Sequence, residues 1–225
     1  MADPANSVDQ PPTLARRPSG VYVYVKRLVD VLAAGIALVV FSPILLAAAL
    51  ALKLTSRGPL FFAQVRAGLN GRTFRVLKFR TMRADRTPDP TELVPLDHPD
   101  ITRVGRLLRR AKIDELPQFI NVLLGHMSVI GPRPTLPDQA ERYDDFQRQR
   151  LWVRPGCSGL AQINGNIAIS WPERIKWDVY YVHHMSPWLD LKILFRTPMV
   201  ILLGEARFTR RLDDALFSHE VPTDG

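Results

Sequence analysis

Cysteine is almost missing from this sequence, since Cys157 is the only one in 225 residues. A lone cysteine excludes an internal disulfide, and the fold therefore fits a reducing compartment. The simplest role for Cys157 is that of a small buried side chain that fills space in the core. The chain is long enough for one domain, or for one domain and an anchor.

Acidic residues are also in short supply, because 22 Asp and Glu stand against 30 Lys and Arg. The resulting formal charge of +8 and the sequence pI of about 10.1 imply an anionic partner. Nucleic acid, anionic lipid headgroups and a phosphorylated substrate all fit this charge. Charge alone does not choose among them.

Charge is missing altogether between Asp30 and Lys53, where the chain reads VLAAGIALVVFSPILLAAALAL. This run is long enough to cross a bilayer as a straight helix, yet basic residues flank both of its ends, which a simple span does not favour. Pro43 removes one helix hydrogen bond and clashes with the carbonyl of Val39, and the Ser42 hydroxyl could satisfy a freed backbone group. By pattern alone, a re-entrant helix–break–helix and a kinked transmembrane helix are equally open.

The domain plan follows from this run. Residues 1–20 are rich in proline and small polar residues and are expected to be a disordered tail. They do not resemble a signal peptide, because the apolar run begins late and no cleavage site follows it. Residues 21–56 are the expected membrane anchor, 57–204 the main folded domain and 205–225 a C-terminal tail.

The middle of the chain is strongly basic. From Arg66 to Arg83 there are basic residues and no acidic one. The segments LFFAQVRAG and TFRVLKFRTM flank a turn at Leu69-Asn70-Gly71 and alternate in part, which predicts a β-hairpin. Lys78 and Arg80 are placed so that they could share one face of its second strand. A helical pattern follows in ITRVGRLLRRAK, with an expected apolar side formed by Ile101, Val104, Leu107 and Leu108.

An acid pair, Asp114-Glu115, follows this basic helix. The segment DELPQFINVLLG predicts a buried helix with Asp114 as its N-cap, Pro117 in the first turn and Gly125 at the end. A plain helix cap is the simplest role for Asp114. Adjacent residues on a helix point about 100° apart, so the pair cannot straddle a glycosidic bond.

The same pair fits phosphate chemistry. Two such carboxylates can share Mg²⁺ with phosphate oxygens, and a carboxylate beside a metal and arginines can attack phosphorus. Arg109 lies one or two turns earlier. Arg133 stands between Pro132 and Pro134, where a stiff backbone reduces the entropy lost when its guanidinium binds a phosphate.

These segments together resemble the bacterial sugar transferases, the monotopic polyprenyl-phosphate phosphoglycosyl transferases. The resemblance runs from about Lys26 to Leu203. It is carried, in order, by KRLVD, SPILL, SRGPLFFAQVRAGLNGRTFRVLKFRTM, LLRRAKIDELPQFINVLLGHMSVIGPRP, RPGCSGLAQINGN and SPWLDLKIL. The combination is far more specific than any single string.

The resemblance implies a two-step reaction and a set of residues for it. A UDP-sugar gives its sugar-1-phosphate to Asp114 and releases UMP, and polyprenyl phosphate then takes the phosphosugar. Glu115 would be the acid/base or metal-orienting partner, and Mg²⁺ the cation, with Asp114 as its ligand. Ser42-Pro43 matches the family's membrane-helix break, which favours the re-entrant form. The residues implied in substrate binding are Lys78, Arg80, Arg109, Pro132, Arg133 and Pro134.

The implied setting is the bacterial inner membrane, with the catalytic domain on the cytoplasmic face. The expected fold is α/β and mostly helical: a re-entrant helix hairpin, a small β-hairpin, and amphipathic interfacial helices around a cytosolic catalytic core. Membrane lipid is an implied partner and nucleic acid is not, while a homo-oligomer and downstream glycosyltransferases stay open. Lacking further apolar runs, the chain is expected to be a minimal catalytic form.

Three positions depart from the family pattern. His126 stands in place of an acidic residue, Asn166 in place of an arginine found in many members, and Cys157-Ser158 in place of an apolar residue and a threonine. The missing arginine bears on donor binding. A membrane-tethered nucleic-acid binder and a noncatalytic scaffold of a polysaccharide assembly complex remain as alternatives.

The last third of the sequence predicts surface and interfacial elements. Residues 137–150 are expected to form one charged surface helix, and residues 191–203 an interfacial or core segment. The adjacent His183-His184 does not have the ligand spacing of a zinc site. Five aromatic residues suit an interfacial belt, although core packing is expected to account for at least two of them: Trp171, Trp177, Tyr180, Tyr181 and Trp188.

Overall fold

The structure is a computed structural model that describes residues 20–83 and 94–212. The tail predicted for residues 1–20 therefore lies outside the described part except for Gly20. The helices are α1 Val21–Val40, α2 Ser42–Thr55, α3 Arg103–Arg110, α4 Gln118–Leu123, α5 Pro137–Glu141, α6 Asp145–Arg148, α7 Leu160–Ile163, α8 Trp171–His184 and α9 Pro187–Leu203. The strands are β1 Phe61–Ala67, β2 Thr73–Phe79, β3 Ser128–Ile130 and β4 Gly156–Ser158. The described part is thus mostly helical, with two small two-stranded sheets.

The apolar run forms two helices, α1 and α2, that meet at Phe41 with a bend of 59°. Pro43 lies in the first turn of α2, where its missing N–H is tolerated. The Ser42 hydroxyl donates to the Val39 carbonyl at 2.7 Å, which confirms the role predicted for it. No single described helix has the length and hydropathy of a membrane span, whereas the bent pair passes that test together.

Helices α1 and α2, the expected membrane anchor and therefore named the anchor pair, are held to the rest of the chain by polar contacts on the inner side of α1. Arg27 donates to the carbonyls of Val122 and Leu123 at the end of α4, at 2.7 and 3.1 Å. Asp30, which is buried, accepts the backbone N–H of Val129 at 3.0 Å. Lys26 pairs with Asp190 on α9 at 2.6 Å. These contacts hold α1 against the strand that leads into the Pro132-Arg133-Pro134 segment.

The predicted β-hairpin is present. Strands β1 and β2 pair antiparallel from Phe61 opposite Phe79 to Ala67 opposite Thr73. The turn occupies Leu69–Gly71, with Asn70 and Gly71 at positive φ. Its inner face carries Phe74 and Val76 into the core.

A second, parallel pair, β3 with β4, was not foreseen from the sequence. Ser128 lies opposite Gly156 and Ile130 opposite Ser158. The backbones approach so closely that a Cβ on Gly131 would lie 2.4 Å from the Arg154 carbonyl oxygen. The main apolar core lies beside this pair and consists of Ile130, Leu160, Ile163, Tyr181, Ile193 and Val200.

Two helix predictions need correction. Residues 137–150 do not form one surface helix: α5 and α6 are separated near Tyr143, which is buried, and Arg150 lies in a following 3₁₀ turn and is also buried. The apolar side predicted for α3 is partly wrong, because Leu107 is 66% exposed while Leu108 is buried. In both places, contacts with distant segments override the local periodicity.

Helix α9 has one buried and one exposed side. Ile193 and Val200 face the core, whereas Trp188, Phe195 and Leu202 are exposed. The helix continues through Pro198. Of the five aromatic residues divided in expectation between an interfacial belt and the core, Tyr181 belongs to the core: it is buried and donates to Asp190 at 2.7 Å.

Candidate active site

Asp114 and Glu115 lie in a short 3₁₀ helix, Ile113–Glu115, between α3 and α4. The prediction that Asp114 caps the next helix is wrong, because α4 begins at Gln118 after Pro117 and Asp114 makes no capping bond. The backbone satisfies itself instead, with the Leu116 N–H donating to the Ile113 carbonyl at 3.2 Å. The Asp114 side chain is therefore available for another role.

Glu115 is held by two cations from distant parts of the chain. Lys78, on β2, donates to Oε1 at 2.7 Å, and Arg133 donates to the same oxygen at 2.9 Å. Burial alone would raise the pKa of Glu115, but the charges and hydrogen bonds of Arg133 and Lys78 outweigh it and hold the pKa well below its usual range. Glu115 is therefore a fixed carboxylate whose lone pairs are engaged by protein cations.

Asp114 has the opposite environment. The residue is 8% exposed, and its Oδ1 has no hydrogen-bond partner among the described residues. Burial and the neighbouring Glu115 raise its pKa, while Lys78, Arg109 and Lys112 act in the opposite direction. The pair thus consists of one clamped carboxylate, Glu115, which is ion-paired with two cations, and one open carboxylate, Asp114, whose Oδ1 has no hydrogen-bond partner among the described residues.

Arg133 is positioned through its backbone as well as its side chain. Its carbonyl accepts a hydrogen bond from Arg150 at 3.0 Å, and Arg150 is itself paired with Asp178 at 2.5 Å. Pro132 precedes it, with its carbonyl accepting from the Gly156 N–H at 2.9 Å. The stiff segment expected from the two prolines is therefore also tied to the parallel strand pair and to α8.

The other two predicted phosphate ligands lie in different places. Arg109 donates through Nε to the Thr81 hydroxyl at 2.8 Å and lies close enough to Asp114 to lower its pKa. Arg80 follows β2 and points to the end of the anchor pair, where it donates to the Ser56 hydroxyl at 2.8 Å. Arg80 does not contact the acid pair. It is 8% exposed, and its Nε and Nη1 have no partner within the described ranges.

Three further charged residues border the acid pair and were not singled out from the sequence. Arg66, on β1, lies near Arg133 and Glu115, and burial and then the Arg133 charge lower its pKa to about 10. Lys112 lies two residues before Asp114, with a positive φ of 56°. Glu205, which follows Glu115 by 90 residues in the chain, lies 3.8 Å from Lys112 through its Oε1. Alternation along β1 was a weak signal for Arg66, and the sequence carried none for Glu205.

The positions that depart from the family pattern have ordinary local partners. His126 packs against the Phe74 ring at 5.7 Å. Burial raises the pKa of the Cys157 thiol, which fits an inert core side chain. The Ser158 hydroxyl lies 2.6 Å from that of Thr197. Asn166 donates to Glu205 at 3.0 Å.

The site can be tested for its fit to Mg²⁺. The Oδ1 atom of Asp114, which has no hydrogen-bond partner among the described residues, is a hard oxygen ligand of the kind that Mg²⁺ prefers. The described residues contain no cluster of three or more potential metal ligands. Mg²⁺ is commonly held by one or two carboxylates, with water and substrate phosphates completing its coordination. The residues present fit that arrangement with Asp114 as the protein ligand.

Comparison with known proteins gives a consistent result. The family model described as "Bacterial sugar transferase" matches residues 21–204. A UDP-N-acetylgalactosamine-undecaprenyl-phosphate N-acetylgalactosaminephosphotransferase of Aeromonas hydrophila is 46% identical over 193 residues, which cover 83% of this chain and 46% of the relative. A UDP-glucose:undecaprenyl-phosphate glucose-1-phosphate transferase of Klebsiella pneumoniae is 42% identical, covering 80% of this chain and 40% of the relative.

Shorter relatives match over most of their length. The uncharacterized sugar transferase EpsL of Bacillus subtilis is 46% identical, covering 80% of this chain and 88% of its own. The chain therefore spans less than half of the Aeromonas and Klebsiella relatives but most of the Bacillus one. Since the family model covers nearly all of the described residues, this chain belongs to the bacterial sugar transferase family.

Proposed function

We propose that this chain transfers a sugar-1-phosphate from a UDP-sugar to polyprenyl phosphate through a covalent aspartyl-phosphosugar. The observation that carries the proposal is the difference between the two acids. Asp114 has a buried oxygen with no hydrogen-bond partner among the described residues, whereas Glu115 accepts hydrogen bonds from Lys78 and Arg133. The Aeromonas and Klebsiella relatives are named for transfer from UDP-N-acetylgalactosamine and UDP-glucose to undecaprenyl phosphate, which supports the same reaction.

In the first step, an oxygen of Asp114 attacks the phosphorus that carries the sugar. A bond forms between that oxygen and phosphorus, and the bond from phosphorus to the bridging oxygen breaks. UMP leaves with the electron pair. Arg109 and Lys112 lie near enough to Asp114 to oppose the negative charge that collects there. Asp114 would be the protein ligand of Mg²⁺, which would supply further charge neutralisation.

In the second step, an oxygen of polyprenyl phosphate attacks the same phosphorus. The bond to Asp114 breaks, and the aspartate returns as a carboxylate. Glu115 keeps Arg133 and Lys78 in place throughout, because both cations donate to its Oε1. A covalent intermediate lets a soluble donor and a lipid acceptor use one nucleophile in turn.

The anchor pair suits a lipid acceptor. Its outer surface is largely apolar from Val21 to Leu50, as expected for a surface that contacts lipid rather than water. Arg80 lies at the end of this pair, and two of its side-chain nitrogens, Nε and Nη1, have no hydrogen-bond partner among the described residues. They suit the phosphate of an incoming lipid. The exposed apolar residues of α1 and α2 are Val21, Tyr24, Val25, Leu28, Val29, Leu32, Ile36, Val39, Val40, Phe41, Ile44, Leu46, Leu50 and Leu54.

The test is a UMP-release assay with the purified chain, polyprenyl phosphate and a panel of UDP-sugars, with and without Mg²⁺. We expect UMP with one or more donors, loss of turnover in EDTA, and a sugar-phosphate adduct on the intact protein when the acceptor is omitted. Release of UMP without any adduct would contradict the covalent step. Turnover by the purified chain would exclude the alternative of a noncatalytic scaffold. Binding of nucleic acid without any turnover would favour the alternative of a membrane-tethered nucleic-acid binder.

A second prediction concerns topology. If the break at Ser42-Pro43 returns the chain to the cytoplasmic face of the inner membrane, the start of α1 and the catalytic region lie on one side. A cysteine at position 21, in a chain whose Cys157 is replaced by serine, should resist a membrane-impermeant thiol reagent in intact cells, as should a control cysteine at exposed position 141. Labelling of position 21 alone from outside would show a full span instead.

A further inference from the structure

A polar cluster of Lys112, Asn166 and Glu205 borders the acid pair. Glu205 Oε1 accepts a hydrogen bond from Asn166 Nδ2 at 3.0 Å and lies 3.8 Å from Lys112 Nζ. The cluster is electrically coupled to the site, since Glu205 raises the pKa of Arg133 and Lys112 lowers that of Asp114. It is therefore a neighbour of the nucleophile rather than a remote surface feature.

The cluster has an open acceptor. Glu205 Oε2 makes no hydrogen bond with any residue in the described ranges, and the Glu205 side chain is 24% exposed. Lys112 is more open, at 44%. A ligand at the acid pair can thus reach Glu205 from solvent without displacing an existing protein partner of Oε2.

The backbone holds this cluster in an uncommon conformation. Lys112 and Asn166 account for two of the three non-glycine residues with positive φ within the described part of the chain. Positive φ is costly for lysine and persists only where surrounding contacts hold it. Glu205 follows Gly204, which also has a positive φ, of 90°. Three separate segments therefore turn sharply to bring these side chains together.

The charge of Glu205 limits what it can bind. The Lys, Arg and metal-binding groups at the acid pair suit phosphate, whereas a carboxylate repels a diphosphate. An ionised carboxylate accepts hydrogen bonds from hydroxyl groups, and an amide can donate and accept. The neutral, hydroxyl-bearing parts of a UDP-sugar are its sugar and the ribose of its uridine. In the proposed reaction the sugar is joined through one oxygen to the phosphorus that Asp114 attacks, whereas the ribose is joined to the other phosphate, so the sugar lies nearer the acid pair.

We infer that Glu205, supported by Asn166, accepts hydrogen bonds from the donor's sugar hydroxyls and sets sugar selectivity. The inference rests on the proposed function and deepens it. Glu205 lies one residue beyond the segment matched by the family model, so this contact is not part of what the family match accounts for. Lys112 lies 3.8 Å from the Glu205 carboxylate and Asn166 donates to it at 3.0 Å, and these two contacts fix its position.

The test compares UMP release from UDP-glucose, UDP-galactose, UDP-N-acetylglucosamine and UDP-N-acetylgalactosamine. For Glu205→Gln we expect the kcat/KM of the preferred donor to fall about 10-fold or more, as for loss of a hydrogen bond to a charged group, and that of the poorest donor to change much less. Asn166→Ala should shift the same ratio in the same direction. Glu141→Gln, at an exposed position on α5, is the matched control and should leave the ratio unchanged.

An equal loss for all four donors would overturn the inference and make Glu205 a purely structural bridge between Lys112 and Asn166. An unchanged ratio would overturn it as well. If Glu205→Gln does not fold, Glu205→Asp keeps the charge and shortens the reach, and it must also change the ratio. Failure of the unsubstituted chain to release UMP from any donor would instead contradict the proposed function.

Discussion

Replacing Asp114 by asparagine should lower turnover by at least about 10³-fold, because an amide cannot form the aspartyl-phosphosugar. The same change should leave the protein folded and, at neutral pH, more stable. Asp114 is buried beside Glu115, and its Oδ1 has no partner among the described residues, so its negative charge is costly in the absence of ligands. Asparagine keeps the shape and removes the charge.

The sign of the pH dependence follows from the direction of the shift. Because the folded-state pKa of Asp114 lies above its ordinary value of 3.8, the folded state binds this proton more tightly, and stability is lost as the pH rises through the folded pKa. The advantage of Asp114→Asn should be absent near pH 3 and largest at neutral pH. About 1 kcal/mol would raise Tm by roughly 2–4 °C.

The measurement is thermal unfolding in detergent and EDTA from pH 3 to 8, combined with the UMP-release assay. Asp138→Asn, at an exposed position on α5, serves as the control and should change neither quantity. A Tm for Asp114→Asn below that of the unsubstituted chain at pH 7 would show that the open carboxylate has a stabilising partner in the fold.

The adjacent substitution, Glu115→Gln, should have the opposite effect on stability. Glutamine removes the charge that Lys78 and Arg133 share, and it leaves these cations, whose side chains are 25% and 39% exposed, without the carboxylate to which both donate. Hydrogen bonds to charged groups contribute about 1.5–3 kcal/mol each, and solvent reduces this contribution where the partners are partly exposed. We expect a loss of about 1–2 kcal/mol, with turnover down by about 10²-fold as Arg133 loses its position.

The pH dependence of this variant is also reversed. The folded-state pKa of Glu115 lies well below its ordinary value of 4.5, so its contribution is present above pH 4.5 and is lost as the pH falls through the folded pKa. The gap between Glu115→Gln and the unsubstituted chain should therefore be widest at neutral pH and narrow in acid. Glu141→Gln provides the control. Equal stability of Glu115→Gln and the unsubstituted chain at pH 7 would contradict a stabilising pairing of Glu115 with Lys78 and Arg133.

Sequence patterns predicted several local features well. The break at Ser42-Pro43, the hairpin around Asn70-Gly71 and the stop at Gly125 depend on backbone chemistry within a few residues. That chemistry is the same wherever the segment lies in the fold. The order of motifs also identified the family, which the family model confirms over residues 21–204.

Pairing across the chain could not be predicted in this way. Local pattern made Asp114 a helix cap, but the 3₁₀ backbone satisfies its own N–H groups there. Lys78 and Arg80 stand two residues apart, yet one reaches Glu115 and the other Ser56, because β2 ends between them. The sequence pattern predicted Arg150 as part of a surface helix, but the residue is buried and donates to the Arg133 carbonyl.

By itself, the sequence determined an apolar run that must bend, a basic middle, and an acid pair followed by an arginine between prolines. Only the tertiary structure decided that the two acids differ, one clamped by cations and one open, and that Glu205 joins them. The physical reason is that propensity and capping act over a few residues, whereas burial and charge pairing depend on which distant segments meet. Here those segments meet because β2, the Arg133 segment and the 3₁₀ turn Glu205–Phe208 converge on residues 112–115.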